Sequence, residues 1–131
     1  MPSANIDHLT IPVPEEHFDP VVEWYKKALS PLGYTEIMRF PGVVGLGSEL
    51  PDFWIAQKEI HIPSGFHFAF SAPNQIAVDT FHRAATDAGG TCNGKPGLRP
   101  EYHKHYYAAY VLDPIGNNVE MVTHCPEGLE K

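Results

Sequence analysis

Two histidines and one glutamate have the types and the places to hold a metal. His8 stands in Ile-Asp-His-Leu-Thr-Ile-Pro-Val near the start, His67 in Phe-His-Phe-Ala-Phe-Ser near the middle, and Glu120 in Asn-Asn-Val-Glu-Met-Val near the end. Two neutral imidazoles and a carboxylate converging from separate strands form a facial set suited to Fe²⁺, Mn²⁺, Zn²⁺ or Ni²⁺, with coordination positions left open for substrate or water. Those open positions make such a metal useful as a Lewis acid. Taken singly, each residue is more simply a hydrogen-bonded or solvated side chain on a sheet. Their joint placement is what points to a metal.

That placement depends on strands. Residues 6–13 alternate, Leu9 and Ile11 against His8 and Thr10, and residues 66–71 alternate in the same way, Phe66, Phe68 and Phe70 against His67, Ala69 and Ser71. The apolar faces must meet helices, so both histidines take the opposite face. In the closing strand Val119 and Met121 take the apolar role, which puts Glu120 on the side of the histidines.

The elements between them repeat. Phe18, Val21, Val22, Tyr25, Ala28, Leu29 and Leu32 recur at three- and four-residue steps, as an amphipathic helix requires, and Pro31 and Gly33 mark its end. Extended candidates come next at 34–40, 42–46 and 52–57, separated by Pro-Gly, Gly-Ser and Leu-Pro-Asp turn signals. The second half gives a helical stripe from Ile76 to Ala88, stopped by Gly89-Gly90, then extended stretches at 91–94, 104–112 and 118–124, the last two joined by Asp-Pro-Ile-Gly-Asn. A βαβββ unit at about 4–60 and its twin at about 64–126 predict one α+β domain spanning 1–131, with helices on the outer face of a mixed sheet, because one unit alone leaves half its sheet uncovered.

Nine Lys and Arg against sixteen Asp and Glu leave a net charge of −7, without a basic run, so neither a nucleic-acid backbone nor an anionic membrane is an expected partner. A small molecule is. The first residues carry no secretory signal and no apolar run is long enough to span a bilayer, so the expectation is a soluble cytoplasmic protein. Cys92 and Cys125 fall in no metal or redox spacing and read as thiols rather than as a pair.

A second cluster, residues 97–110, is dense in groups that move protons or bind an oxyanion. Tyr102, His103 and Tyr107 are the candidates for proton transfer, with His103 and Tyr107 expected to face the same side as the metal set. Arg99, His105 and Trp54 are the candidates for substrate contact, Trp54 as a flat wall. The plainer alternative is an aromatic strand with solvated histidines. His17, His61 and His82 receive no role, and His124, four residues after Glu120, lies too far along a strand to share its metal.

The order Ile-Asp-His-Leu, Phe-His-Phe-Ala-Phe and Asp-Pro-Ile-Gly-Asn-Asn-Val-Glu resembles the vicinal oxygen chelate superfamily over nearly the whole chain, and Gly-Leu-Arg-Pro-Glu-Tyr-His-Lys-His-Tyr-Tyr-Ala-Ala-Tyr looks like a glyoxalase/bleomycin-resistance-type subgroup. The resemblance implies two βαβββ modules forming a cup, and a divalent metal on its floor, with His8, His67 and Glu120 on ligand positions. Where true glyoxalases place a fourth, carboxylate ligand, this chain aligns Trp54 or Ala56, which cannot ligate. The remaining set is closer to fosfomycin-modifying thiol transferases and extradiol dioxygenases. The resemblance thus implies a metal-dependent lyase, isomerase or dioxygenase acting on a small molecule with adjacent oxygens, with a non-catalytic sequestering protein of bleomycin-resistance type as the alternative. Relatives that pair modules, and sheet edges that need covering, imply a homodimer.

Overall fold

Prolines set where the first strand gives way to the first helix. β1 (Leu9–Val13) buries Ile11 and Val13, and Pro14, extended at φ −61°, ψ 153°, is the N-cap residue of α1 (Glu15–Ala28). Glu15 and Glu16 open the helix and Lys26 and Lys27 close it, each sign at the end that the helix dipole favours. A short 3₁₀ turn, Ser30–Leu32, ends on Gly33, whose φ of 77° only glycine adopts without cost. The computed structural model describes residues 6–59 and 66–127.

β2 (Thr35–Phe40), β3 (Val43–Gly47) and β4 (Phe53–Gln57) then run as an antiparallel meander, and β4 closes parallel to β1, for the order β1-β4-β3-β2. The second half does the same. β5 (His67–Ser71), α2 (Gln75–Asp87), β6 (Thr91–Leu98), β7 (Tyr107–Leu112) and β8 (Asn118–Thr123) give the order β5-β8-β7-β6, with β5 and β8 parallel. Two tandem βαβββ modules, each a four-stranded mixed sheet with one helix, are therefore present as the sequence implied. Asn74 caps α2, its Oδ1 accepting the N–H of Ala77 at 2.9 Å.

Strand bounds differ most around the 97–110 cluster. β6 runs on to Leu98 through Gly94, Pro96 and Gly97, with register shifts on either side of Gly94, as an edge strand can when a proline lacks the N–H of a regular ladder. β7 starts at Tyr107 rather than Lys104, because the N–H of Arg99 bonds to Tyr106 O at 2.7 Å and closes residues 99–106 into a loop.

Both sheets press their apolar faces onto one core. α1 meets α2 through Trp24, whose Nε1–H donates to Ala85 O at 3.0 Å, and the Phe53 ring of β4 lies 5.6 and 5.4 Å from Phe68 and Phe70 of β5. Each sheet keeps its other face clear of the helices. In the first module that face carries Trp54 opposite Gly45 and Thr10, with Met38 and Phe40 beyond. Trp54 lies flat over Gly45, where a Cβ would come within 2.8 Å of Cζ3 and 2.9 Å of Pro51 Cβ. Gly45→Ala is expected to push the indole off the sheet at a cost of about 1–3 kcal/mol, read as a lower melting temperature with a changed tryptophan emission. An unchanged emission would mean that the strand yields instead.

The β7–β8 turn is tied to α1. Asp113 Oδ1 accepts the N–H groups of Ile115 and Asn117 at 2.9 and 2.8 Å, and Oδ2 accepts Asn117 Nδ2–H at 2.8 Å and the Tyr25 hydroxyl at 2.6 Å. Glu120 comes three residues after Asn117, on the strand that this turn starts. Among the described residues no helix is long and apolar enough to cross a membrane.

Candidate functional site

Register decides which side chains meet Glu120. The row Ala69–Glu120–Tyr110 crosses β5, β8 and β7, and alternation puts His67, Glu120 and Tyr110 on the face away from the helices. Glu120 is only 2% exposed, and a carboxylate this buried needs partners. It has them. Oε2 accepts the hydroxyl of Tyr106 at 2.5 Å, and Oε1 lies 3.0 Å from Nε2 of His67. Tyr110, directly opposite, is held protonated above the ordinary phenol range by its burial and by the Glu120 charge. Burial and the hydrogen bond to Glu120 push Tyr106 well up too.

The hydrogens on His67 can be placed by elimination. Nδ1 is 3.0 Å from Asn118 O, and a carbonyl only accepts, so Nδ1 carries the hydrogen. Nε2 of the neutral ring then turns a lone pair on the Glu120 carboxylate. Two electron-rich atoms at 3.0 Å require a cation between them, either a proton or a metal. Ligands at about 2.0–2.2 Å around one metal stand at this separation, and a ring whose second nitrogen donates to a carbonyl is a common support for a metal-bound histidine. The donor pair fits a divalent metal.

His8 is prepared in the same way but stands apart. Its Nδ1 lies 2.8 Å from Asp7 Oδ2, which again leaves Nε2 as the free lone pair. Yet among the described residues no group of three His, Cys, Asp or Glu is close enough to hold one ion. So His67 and Glu120 meet, and His8 does not join them within the chain.

The 97–110 cluster sorts differently from the expectation. Tyr107 does not face the side of His67 and Glu120: it pairs with Thr123, packs on the core, and donates its hydroxyl to Asp79 of α2 at 2.6 Å. With Tyr110 opposite Glu120, alternation sends Tyr107 to the helix side and Tyr110 to the open one. Counting outward on both sides of the Asp-Pro-Ile-Gly-Asn turn pairs Tyr110 with Glu120, and that signal would have found it. Arg99 lies over the Tyr110 ring, 5.3 Å from its centroid, fixed by the carbonyls of Gly97 and Lys95 at 2.8 Å each. Tyr102, 62% exposed, rests on Tyr106 with centroids 4.9 Å apart. His103 stands edge-on to Tyr106, and the exposed His105 donates its backbone N–H to His103. His124, outside the expected site, touches His103 and Tyr106. His82 lies 3.1 Å from Cys92 Sγ, and Cys92 and Cys125 form no disulfide. His61 lies outside the described residues.

A cavity of about 860 Å³ opens where the modules adjoin, bordered by His8, Tyr34, Phe53, His67, Phe68 and Phe70. On its wall Asp52 keeps one carboxylate oxygen buried without a partner among the described residues.

No curated protein matches the chain. Among solved structures it is similar to a glyoxalase/bleomycin resistance protein from Albidiferax ferrireducens T118, at 25% identity over 89% of this chain and 96% of that one, with a TM-score of 0.67. It is similar in fold to a glyoxalase/bleomycin resistance protein/dioxygenase family enzyme from Burkholderia phytofirmans PsJN, at 21% identity over 92% and 98% and a TM-score of 0.64. A lactoylglutathione lyase from Agrobacterium tumefaciens shares the fold at 19% identity over 94% and 96%, with a TM-score of 0.65. The family model of the Glyoxalase/Bleomycin resistance protein/Dioxygenase superfamily matches residues 5–121, nearly the length of the two modules, and the chain belongs to that superfamily.

Proposed function

We propose that this protein is a metal-dependent enzyme of lyase, isomerase or dioxygenase class, acting as a homodimer on a small molecule with two neighbouring oxygens. One observation carries the reading: a histidine lone pair and a buried carboxylate facing each other at 3.0 Å, with the second ring nitrogen already committed to a carbonyl. His67 and Glu120 are two ligands, and His8 is the third.

A second copy supplies it. The open face of the first module is largely apolar, with Met38 and Phe40 45% and 56% exposed beside Trp54, whereas the open face of the second holds the donors. Unlike faces paired about a twofold axis cover this apolar surface and complete two equivalent sites, each with His8 from one chain and His67 and Glu120 from the other.

When bound, Fe²⁺, Mn²⁺, Zn²⁺ or Ni²⁺ supplies Lewis acidity to both substrate oxygens, which acidifies a neighbouring C–H or O–H. The side chains do the rest. Tyr106 and Tyr110, protonated at neutral pH, orient Glu120, and Tyr110 can donate to a substrate oxygen. Tyr102 lies beside Tyr106 as a group for proton transfer, and the Arg99 guanidinium offers its charge to an anion forming above Tyr110. Trp54 walls the substrate from the partner's side.

A second reading is a sequestering protein without turnover. The aromatic cavity with its unpartnered Asp52 oxygen favours it. Elemental analysis of protein purified without added metal separates the two. The enzyme reading expects close to one transition metal per chain, lost in His67→Ala with the circular dichroism spectrum unchanged. Wild-type protein that holds no metal and takes up none on titration would leave the binder.

A further inference from the structure

Two histidines that the metal site leaves unused as ligands meet beside it. Nε2 of His103, in the loop after β6, lies 2.8 Å from Nδ1 of His124, just past β8. The ring planes differ by 20° and the centroids are 5.0 Å apart. Stacked rings stand about 3.5 Å from each other, so a nitrogen–nitrogen distance of 2.8 Å excludes face-to-face stacking. The rings lie end to end, joined by an in-plane N–H···N bond.

The backbone sets the direction of that bond. The N–H of His105 can only donate, and it meets Nδ1 of His103 at 3.1 Å. The hydrogen of His103 is therefore on Nε2, aimed at Nδ1 of His124, which accepts. Neither ring has room for a further proton. On His103 it would set N–H against the N–H of His105; on His124 it would set N–H against that of His103, and two protonated rings would also repel.

This pair holds something that matters. Tyr106 stands edge-on to both rings, with centroids 5.5 and 5.4 Å away, and its hydroxyl reaches Glu120. Its carbonyl in turn closes the loop onto Arg99 N–H. We propose that His103 and His124 form a proton-operated latch that, as a neutral pair, positions Tyr106 on Glu120 and, on taking up a proton, lets Tyr106 go. The latch itself needs no metal. Its consequence for a metal ligand rests on the proposed metal site, since releasing Tyr106 frees one oxygen of Glu120 and its orientation.

Among the described residues, other ionisable groups surround the pair. From its own loop they are Glu101, Lys104 and His105, all exposed, and the Tyr102 and Tyr106 phenols; from the β8 side, Cys125 comes directly after His124, and Glu120 is reached only through Tyr106. Among the described residues no carboxylate is within ion-pair distance of either ring.

Nitrogen-15 NMR of the metal-free wild-type chain tests the latch between about pH 8 and about pH 5, the interval in which imidazoles change charge. At the upper end the expected spectrum shows His103 protonated on Nε2 alone. On acidification the two rings titrate as one coupled pair, and in the same step the Tyr106 ring signals shift and the Arg99 amide loses its exchange protection several-fold. In His124→Gln, His103 titrates as a single group and that loss no longer accompanies it. Independent titration of the two rings in the wild type, a hydrogen on Nδ1 of His103, or a Tyr106 environment that stays constant while both rings protonate would each overturn the proposal. None of these readouts involves metal content, so the latch and the metal site stand or fall separately.

Discussion

Asp113→Ala is expected to cost on the order of 3 kcal/mol or more of folding stability, a large share of the roughly 5–15 kcal/mol that holds a domain together. The carboxylate is 4% exposed and accepts four hydrogen bonds, three within its own turn and one from the Tyr25 hydroxyl on α1. Removing it strands the buried Tyr25 hydroxyl and the N–H groups of Ile115 and Asn117, and each unsatisfied buried donor costs about 1–3 kcal/mol, though not additively. It also unties the second module's hairpin from the first module's helix. Tyr25→Phe removes one of the four bonds and strands no donor, so its cost should be about 1 kcal/mol.

The same pair predicts an alkaline weakness. Burial, then the Asp113 charge, raise the Tyr25 hydroxyl well above its ordinary value. A group raised on folding gives stability that is complete below its unfolded value of about 10 and is lost as pH climbs toward the folded one. Tyr107, pushed up to about 12 by burial and by Asp79, acts in the same direction. Urea titrations at neutral pH and above about pH 10 should show the wild type losing stability and Tyr25→Phe losing less. Asp113→Ala within about 1 kcal/mol of the wild type would mean that α1 and the hairpin are held together by apolar packing alone.

How far the site is legible in the sequence depends on what each signal encodes. Side-chain alternation is local to a strand, and it places Ile11, Phe68 and Met121 toward helices and His67 and Glu120 on the opposite face without reference to anything distant. The repeat is visible because both modules carry the same order of strand, helix and turn signals. Tyr107 takes the wrong face in a reading that starts its strand at Lys104 and does not pair it through the turn with the strand of Glu120. The extension of β6 is hidden by Gly94, Pro96 and Gly97, residues that announce turns but that a bulged edge strand tolerates. Trp24, three residues after Val21 and four before Ala28, continues the apolar stripe of its helix at its edge and is 2% exposed, its indole N–H donating to Ala85 O across the helix pair. Most consequential is His8. Alternation tells which face of its own sheet a residue takes, and nothing in it tells how two sheets are set against each other or against a second chain.

That gap is where a mixing experiment has its largest effect. If each site takes His8 from one chain and His67 with Glu120 from the other, His8→Ala and His67→Ala homodimers both lose the metal, since each lacks one ligand in both sites. Unfolding and refolding the two together then makes heterodimers. In these, one site gathers both mutated positions and is dead, while the other receives an intact His8 from the His67→Ala chain and an intact His67 and Glu120 from the His8→Ala chain. Random pairing gives about half heterodimers with one good site of two, so metal content should rise from near zero to about a quarter of the wild-type value. A site completed inside one chain, across the cavity that His8 and His67 both border, gives no recovery at any mixing ratio. Size-exclusion of a tagged and an untagged copy refolded together reports independently whether heterodimers form. Metal retained in the unmixed His8→Ala protein would remove His8 from the ligand set altogether, leaving His67 and Glu120 to find their third ligand elsewhere.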